Sequence, residues 1–308
     1  MSGIEVFLDE TPGEARGVVL RGGRFEHLLI ERDDDTPEHR LGARVVGRVV
    51  AVHAGLKGAF VDLGVEPHGF LPLKGGTRVG EGERLELEVV AEPRERKGPT
   101  LRRIGPAEGA PRLLRAGPTI RECLATLAPG VEPTTGAAAI RAGLEAEEEA
   151  AAPGAVFPDT GLDLAIERTR ALVAIDLDLA PSAGMQAGHR ARERANRQGL
   201  AEAARLLRLK RWAGLTVIDL IGAGHDGAAM LAAARQAFGE DPAIGYGPVS
   251  RFGLLQLSLP WRRTPLEEVL NGADGRRRPE QRAQDVVRTL RLALLEDPAT
   301  PRFVARCR

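Results

Sequence analysis

Cysteine is almost absent from this sequence, and the features that are missing narrow the class of protein. The two cysteines, Cys123 and Cys307, have no second thiol or histidine at a metal-ligand spacing, which argues against a disulfide framework and against zinc. No run of about 18 apolar residues is present and the N-terminus lacks a charged-then-apolar signal, so we expect a cytoplasmic protein without membrane contact. Charge of one sign is not in excess, because Lys plus Arg and Asp plus Glu both number 43. A nucleic-acid partner must therefore be argued from local patches.

The overall amino-acid composition is typical of a folded protein. Hydrophobic residues make up 43% and charged residues 28% of the 308-residue chain, and about 150 residues per domain suggests two domains. Three extended runs between residues 3 and 31, separated by TPGE and RGG, predict an antiparallel meander. From about 41 to 104, short apolar segments with regular turn signals predict a small closed barrel.

After residue 161 the pattern changes to strands that alternate with helices. The runs LDLAIE, ALVAIDLD, LTVIDLI and FGLLQLSL are strand-like, with helices expected at 188–212 and 226–238. This alternation predicts a mainly parallel α/β sheet, and a last amphipathic helix is expected at 279–296. The expected fold class is α/β, mixed α+β overall. The expected segments are N-terminal strands that pack on the α/β region (1–38), the barrel (39–104), a linker and helical connection (105–160) and the α/β domain (161–308).

Two aspartates occupy similar places at the ends of predicted strands. ALVAIDLD and LTVIDLI both contain Ile-Asp-Leu, which puts Asp176 and Asp219 near the carboxyl ends of strands that one helix connects. If these strands are neighbours they lie roughly 4.8 Å apart, and two like charges at one height favour a hard divalent cation, Mg²⁺ or in its place Mn²⁺. Asp178 points to the same strand face and is a further candidate ligand. The alternative is that an aspartate at this place caps the next helix.

Aromatic and basic residues suggest a partner for the barrel. Phe60 and Phe70 stand beside glycines in GAFVDLGVEPHGFLPL, and their spacing fits either base stacking or burial in the core. The basic residues expected nearby are Lys57, His68, Lys74, Arg94, Arg96, Lys97, Arg102 and Arg103. A second basic stripe lies on the predicted long helix and consists of Arg190, Arg192, Arg194, Arg197, Arg205, Arg208, Lys210 and Arg211. Both sets are candidate phosphate contacts, and solvated helix faces are the alternative.

Several of these motifs resemble the ribonuclease E/G family. AFVDLG followed by HGFLPL resembles the RNA-binding OB-fold domain of that family, while AIDLD, NRQGLAEAARLLRLKRWAGLTVIDLI and SRFGLLQLS resemble its DNase-I-like catalytic region over about 162–259. The resemblance implies an OB-fold barrel followed by a DNase-I-like/RNase-H-like catalytic region. It further implies that Asp176 and Asp219 hold magnesium and that water cleaves single-stranded RNA to leave 5′-phosphate and 3′-hydroxyl ends, in RNA processing, including that of ribosomal RNA, or decay. RNA contacts are implied for Phe60, Phe70, Lys97, Arg251 and Asn196.

The chain also departs from the family pattern. Asp178 stands where the family usually has Asn, Arg170 where it has Glu, and Gly222 where it has an acidic residue. The C-P-x-C zinc-link and the Arg-Thr pair that senses a 5′-monophosphate have no counterpart, so we expect a short form without zinc, as a monomer or simple dimer. The alternatives are a catalytically inactive RNA-binding protein of the same family and a metal-dependent phosphatase acting on small molecules.

Overall fold

The computed structural model describes residues 3–73, 78–180, 188–300 and 302–306. Lys74 and Cys307, considered above, lie outside the described residues. The chain divides into two compact units. Unit 1 consists of Met1–Glu145 with Arg262–Arg308, and unit 2 consists of Ala146–Trp261.

Unit 1 begins with a three-stranded antiparallel sheet, as the sequence predicts. Its strands β1 (Ile4–Thr11), β2 (Glu14–Arg21) and β3 (Arg24–Arg32) pair in chain order. The helix α1 (Ile120–Leu127) packs on this sheet, and its first turn is closed by a capping box between Thr119 and Glu122.

A cluster of buried charges attaches the last helix of unit 1 to this sheet. Helix α2 spans Ala137–Ala151, the short α5 spans Leu266–Leu270 and the last helix, α6, spans Pro279–Glu296. Arg288 of α6 is fully buried and its Nε donates to Asp9 Oδ2 at 2.9 Å. The Glu14 carboxylate accepts from Arg16, Arg32 and Arg288. Burial alone would raise the pKa of Glu14, but these guanidinium groups outweigh it and lower the pKa below its usual value.

The predicted barrel is confirmed as a closed sheet of five strands. These are β4 (Arg44–His53), β5 (Gly58–Asp62), β6 (Gly69–Pro72), β7 (Arg84–Ala91) and β8 (Thr100–Pro106). They follow the order β5-β6-β8-β7-β4, and pairing of β4 with β5 closes the ring. A short strand that the sequence did not suggest, β9 (Arg112–Arg115), adds to β4 outside the ring.

Unit 2 contains a six-stranded mixed sheet. Its strands are β10 (Gly154–Phe157), β11 (Leu162–Arg168), β12 (Val173–Leu179), β13 (Gly214–Asp219), β14 (Gly245–Tyr246) and β15 (Leu254–Leu259), in the order β10-β11-β12-β13-β15-β14. The prediction of a mainly parallel sheet is wrong, because among these described strands β12–β13 is parallel and the other four pairings are antiparallel. A short turn joins β11 to β12, whereas the long helix α3 (His189–Lys210) crosses over from β12 to β13.

The two faces of this sheet differ in chemistry. Alternate residues such as Leu164, Ile175 and Ile218 form a core with α3 and with α4 (Gly227–Phe238). The intervening residues are exposed on the opposite face and are largely acidic in the centre of the sheet, where they comprise Asp163, Glu167, Asp176, Asp178 and Asp219. No helix in the described part of the chain is long and apolar enough to cross a membrane.

Candidate functional site

Asp176 and Asp219 face each other on neighbouring strands. They are register partners in the parallel pair β12–β13, and both side chains are exposed on the same face of the sheet. Ile175 and Ile218, one residue earlier, are also partners and are buried on the other face. Because adjacent strands lie roughly 4.8 Å apart, the two carboxylates are held as neighbours. Asp219 ends β13 as predicted, whereas Asp176 lies in the middle of β12, where its pairing with β13 ends; this end of the β12–β13 pairing is called here the carboxyl edge.

The surroundings of Asp176 disfavour its charged form. Partial burial raises the pKa of Asp176 above its usual value, and the negative charges of Asp219, Asp178 and Asp163 raise it further. Asp163 was not among the sequence candidates. It lies opposite Asp178 in the antiparallel pair β11–β12, a proximity that its position in the sequence does not reveal.

The acidic residues around Asp176, which are Asp163, Asp178 and Asp219, supply few ligands for a cation. Among the described residues, no group of three or more His, Cys, Asp or Glu side chains is arranged to hold a metal ion. Asp178 Oδ1 accepts a hydrogen bond from the backbone N–H of Leu179 at 2.7 Å, and its role as a third ligand stays a prediction. Two carboxylates with waters and a phosphate oxygen suit Mg²⁺, which usually keeps several waters and takes one or two protein carboxylates. The pair Asp176 and Asp219 therefore fits this cation.

The segment after Asp219 is fixed by a buried amide. Asn196 of α3 is 1% exposed, its Oδ1 accepts from Ile221 N at 2.8 Å, and its Nδ2 donates to Ile221 O at 3.3 Å. This pairing positions the loop that leaves the site and favours a bracing role over direct contact with RNA. Asp226, rather than Asp219, caps the next helix, because Asp226 Oδ1 accepts from Ala229 N at 3.0 Å.

Arg251 lies in the turn that enters β15, beside the aspartate pair. Leu254, the first residue of β15, is the register partner of Asp219, and Gly253 O accepts from Leu220 N at 3.3 Å. The Arg251 guanidinium carbon lies 4.7 Å from the centroid of the Phe252 ring. Phe252 is 71% exposed and was not a sequence candidate, because local sequence does not reveal exposure.

In the C-terminal half of α3, basic side chains are buried and bind other groups of the protein. Arg205 is buried and forms ion pairs with Glu149 at 2.6 Å and Glu202 at 2.7 Å. Lys210 is 3% exposed, and its Nζ donates to the carbonyls of Ala150 and Ala152. The exposed arginines at the start of α3, which is the end near the carboxyl edge, are Arg190, Arg192 and Arg194.

The barrel places both predicted phenylalanines outside its core. Phe60 and Phe70 are partners on β5 and β6 with ring centroids 5.5 Å apart, and both are partly exposed. The core is formed instead by their strand neighbours Ala59, Val61 and Leu71. A Cβ added at Gly58 would lie 2.1 Å from Phe70 Cζ, so glycine is needed for the ring to lie there. His53, which the sequence did not single out, adds a third ring 5.4 Å from Phe60.

The barrel also presents cations near these rings. Lys97 is exposed and pairs with Glu95 at 3.1 Å, and the hydrogen bond from Phe70 N to Pro99 O brings its segment beside β6. Arg102 and Arg103 pair with Glu88 and Glu83. Exposed ion pairs of this kind contribute little free energy, about 0–1 kcal/mol, so a polyanion can replace the carboxylates.

Comparison with known proteins supports the resemblance of unit 2. Residues 125–260 match the model of the ribonuclease E/G family, and this range contains Asp176, Asp219 and Arg251. No curated protein matched the chain significantly. Residues 125–260 are therefore similar to the ribonuclease E/G family.

Proposed function

We propose that this protein is a magnesium-dependent endoribonuclease that hydrolyses single-stranded RNA and leaves 5′-phosphate and 3′-hydroxyl ends. The observation that carries the proposal is the register pair Asp176 and Asp219, two exposed carboxylates at the end of a parallel strand pair. The match of residues 125–260 to the ribonuclease E/G family supports RNA as the substrate class. We infer that unit 2 is the catalytic, DNase-I-like part and that the work is RNA processing, including that of ribosomal RNA, or decay, in the cytoplasm.

Asp176 and Asp219 would hold Mg²⁺, or Mn²⁺ in its place. The raised pKa of Asp176 supports this role, because part of its cause is repulsion from Asp219, which a divalent cation between them would relieve. When bound, the ion neutralises charge on the scissile phosphate and orients the attacking water. The side chain of Asp178, two residues further along β12, is a third source of oxygen at the same face. No zinc ligand set is part of the proposal.

The residues around the pair hold RNA and the backbone in place. Asn196 fixes the backbone of Ile221 behind Asp219. Arg251 lies in the turn before β15, whose first residue pairs with Asp219, and is placed there to bind a phosphate. Its guanidinium can bind such a group through two parallel hydrogen bonds. In the barrel, Phe60 and Phe70 would stack on bases while Lys97 binds the backbone. We propose that the enzyme works as a monomer or simple dimer.

A cleavage assay with labelled single-stranded RNA tests the proposal. We expect internal cleavage in the presence of magnesium, none with a chelator, and a loss of more than about 100-fold in Asp176→Asn and Asp219→Asn. Asp163→Asn is the matched control, because it removes the same charge from the same face without belonging to the register pair. Digestion of the downstream product by an exonuclease that requires a 5′-phosphate checks the end chemistry.

Two results would contradict the proposal in different ways. RNA binding without cleavage in the wild type would favour a catalytically inactive RNA-binding protein. Cleavage that survives in both Asp176→Asn and Asp219→Asn would place the chemistry elsewhere and remove the basis of the metal site.

A further inference from the structure

Phe252 is an exposed aromatic ring beside the proposed catalytic pair. It is 71% exposed, more than any other large hydrophobic side chain in the described part of the chain. Single exposed apolar residues are common on protein surfaces and by themselves indicate nothing. Phe252 differs from such residues in its location, its support and its neighbour.

Its location follows from the strand register. Leu254, two residues after Phe252, is the partner of Asp219, and Leu220 N donates to the carbonyl of Gly253 at 3.3 Å. Two residues of chain and one strand pairing put the Cα atoms of Phe252 and Asp219 within about 12 Å. A nucleotide next to a phosphate held at Asp219 can therefore reach the ring.

The support is a turn held by several hydrogen bonds. Ser250 Oγ accepts from the backbone N–H groups of Phe252 and Leu254 at 3.3 and 3.2 Å, while Ser250 N donates to Leu254 O at 2.9 Å. Gly253, with a φ of +84°, closes the turn in a conformation that L side chains rarely adopt. The ring is therefore presented on an ordered backbone, which lowers the entropic cost of binding a flat ligand.

The neighbour is Arg251, whose guanidinium lies 4.7 Å from the centroid of the Phe252 ring. This cation–π contact lies against the ring, while 71% of the residue remains exposed to solvent. A flat apolar ligand that stacks on the ring while its negative charge meets the guanidinium satisfies both residues. A nucleotide, with a planar base and an attached phosphate, has this chemistry.

We propose that Phe252 is a stacking platform for an unpaired base one or two nucleotides from the scissile phosphate, with Arg251 on the adjoining phosphate. The proposal rests on the proposed nuclease function and deepens it, because it names the residue that grips the substrate beside the cleaved bond. Stacking tolerates any base, since every base has a π face, so Phe252 selects for unpaired RNA rather than for a sequence.

Substitution of the ring tests this directly. Phe252→Ala and Phe252→Leu should lower kcat/KM on single-stranded RNA by about 5- to 100-fold, while Phe252→Tyr, which keeps the ring, should stay near the wild type. Leu215→Ala is the control, because Leu215 is also exposed, at 47%, and lies at the other end of β13. All four variants should keep the wild-type melting temperature, because the altered side chains are exposed.

Abasic substrates separate stacking from a general effect on the loop. After the cleaved bond is mapped, each flanking nucleotide is replaced in turn by an abasic one. One replacement should slow the wild type about as much as Phe252→Ala does, and should have little further effect on Phe252→Ala. The stacking proposal would be overturned if every abasic replacement affected the wild type and Phe252→Ala equally. A Phe252→Ala variant with wild-type kcat/KM, or with a changed oligomeric state, would also overturn it.

The proposed function fails by a different result. A wild-type protein that neither binds nor cleaves single-stranded RNA would remove both proposals together. Wild-type cleavage with an unaffected Phe252→Ala variant would leave the nuclease in place and remove only the platform.

Discussion

Glu14 is the shared counter-charge of the buried cluster that joins β2 to α6, and its replacement by glutamine should destabilise unit 1. Glu14 Oε1 accepts from Arg16 Nε at 2.9 Å and from Arg288 Nη2 at 3.1 Å, while Oε2 accepts from Arg32 Nε at 2.9 Å. The Glu14 and Arg288 side chains are fully buried, and Arg16 is 1% exposed. Glu14→Gln keeps the shape of the side chain but removes the charge that all three guanidinium groups face.

The size of the effect follows from what is left behind. A buried cation that loses its counter-charge typically costs about 3–5 kcal/mol. Arg288 keeps Asp9, with Nε to Oδ2 at 2.9 Å, which limits the loss at that residue. We therefore expect about 3–4 kcal/mol for Glu14→Gln at pH 7. With a urea dependence of about 2 kcal/mol per molar, the midpoint of unit 1 should fall by roughly 1.5–2 M.

The assay can address each unit, because both tryptophans, Trp212 and Trp261, belong to unit 2. Far-UV circular dichroism follows both units during urea unfolding, whereas tryptophan fluorescence follows unit 2. Glu14→Gln should shift the part of the dichroism transition that fluorescence does not report. The control is Glu10→Gln on the neighbouring strand, where the carboxylate pairs with Arg121 at 3.2 Å and both side chains are more than half exposed. Such an exposed pair is worth about 0–1 kcal/mol.

The pH dependence provides a second check with a definite sign. The pKa of Glu14 is lower in the folded state than its usual value of 4.5, so its contribution is complete above that value and is lost as the pH falls through the folded-state pKa. The difference between wild type and Glu14→Gln should therefore narrow below about pH 4.5. Equal shifts for Glu14→Gln and Glu10→Gln at pH 7, or a difference that widens in acid, would refute the reasoning.

Two further predictions concern a buried lysine and the barrel rings. Lys210→Met should destabilise unit 2 by about 2–3 kcal/mol, because the carbonyls of Ala150 and Ala152 lose their ammonium donor. Lys97→Met, at an exposed site, should change the stability by less than about 0.5 kcal/mol. Urea unfolding measures both effects, the first by tryptophan fluorescence and the second by circular dichroism. Phe60→Ala should weaken the binding of single-stranded RNA by about 1–3 kcal/mol in a filter-binding assay. Leu56→Ala, at a residue that is 59% exposed on the same barrel, should leave the affinity unchanged. Equal losses in both variants would contradict a stacking role for Phe60.

Much of the fold could be predicted from local patterns. The meander, the closed barrel and the helix at 279–296 are confirmed, because each has a clear hydrophobic period and turn residues at its ends. Strand direction in unit 2 could not be read in the same way. A single helix joins the neighbouring strands β12 and β13, which are parallel, whereas the hairpin between β11 and β12 makes that pair antiparallel. Both α4 and β14 lie between β13 and its other neighbour β15, and that pair is antiparallel as well.

The parts that the sequence did not reveal depend on partners far away in the chain. Asp9, Glu14 and Arg16 alternate with apolar residues and resemble an exposed strand face, yet Arg288, more than 270 residues away, buries Glu14 with it. For the candidate site, the repeated Ile-Asp-Leu predicted the pairing of Asp176 with Asp219, which the register has. Asp163 was missed because its neighbour Asp178 is fixed only by the register of β11 and β12.

The proximity of Asp176 and Asp219 is imposed by the core on the other side of the sheet. Ile175 and Ile218 are buried partners, and a slip of either strand by one residue would turn the aspartate of that strand into the core, so the carboxylates cannot separate. Their repulsion at roughly 5 Å in a largely solvated setting costs about 1 kcal/mol. Asp219→Asn should therefore raise the stability of unit 2 by about 1 kcal/mol in a chelator.

Magnesium should reverse this order. The wild type gains stability as the cation binds its folded state, whereas Asp219→Asn lacks one of the two proposed ligands and should gain less. Asp163→Asn should respond to magnesium as the wild type does, because it keeps both ligands. Urea unfolding followed by tryptophan fluorescence, with chelator and with magnesium, measures all three proteins. An identical response of Asp219→Asn and wild type to magnesium would mean that the charge pair in the register of β12 and β13 is not a cation site.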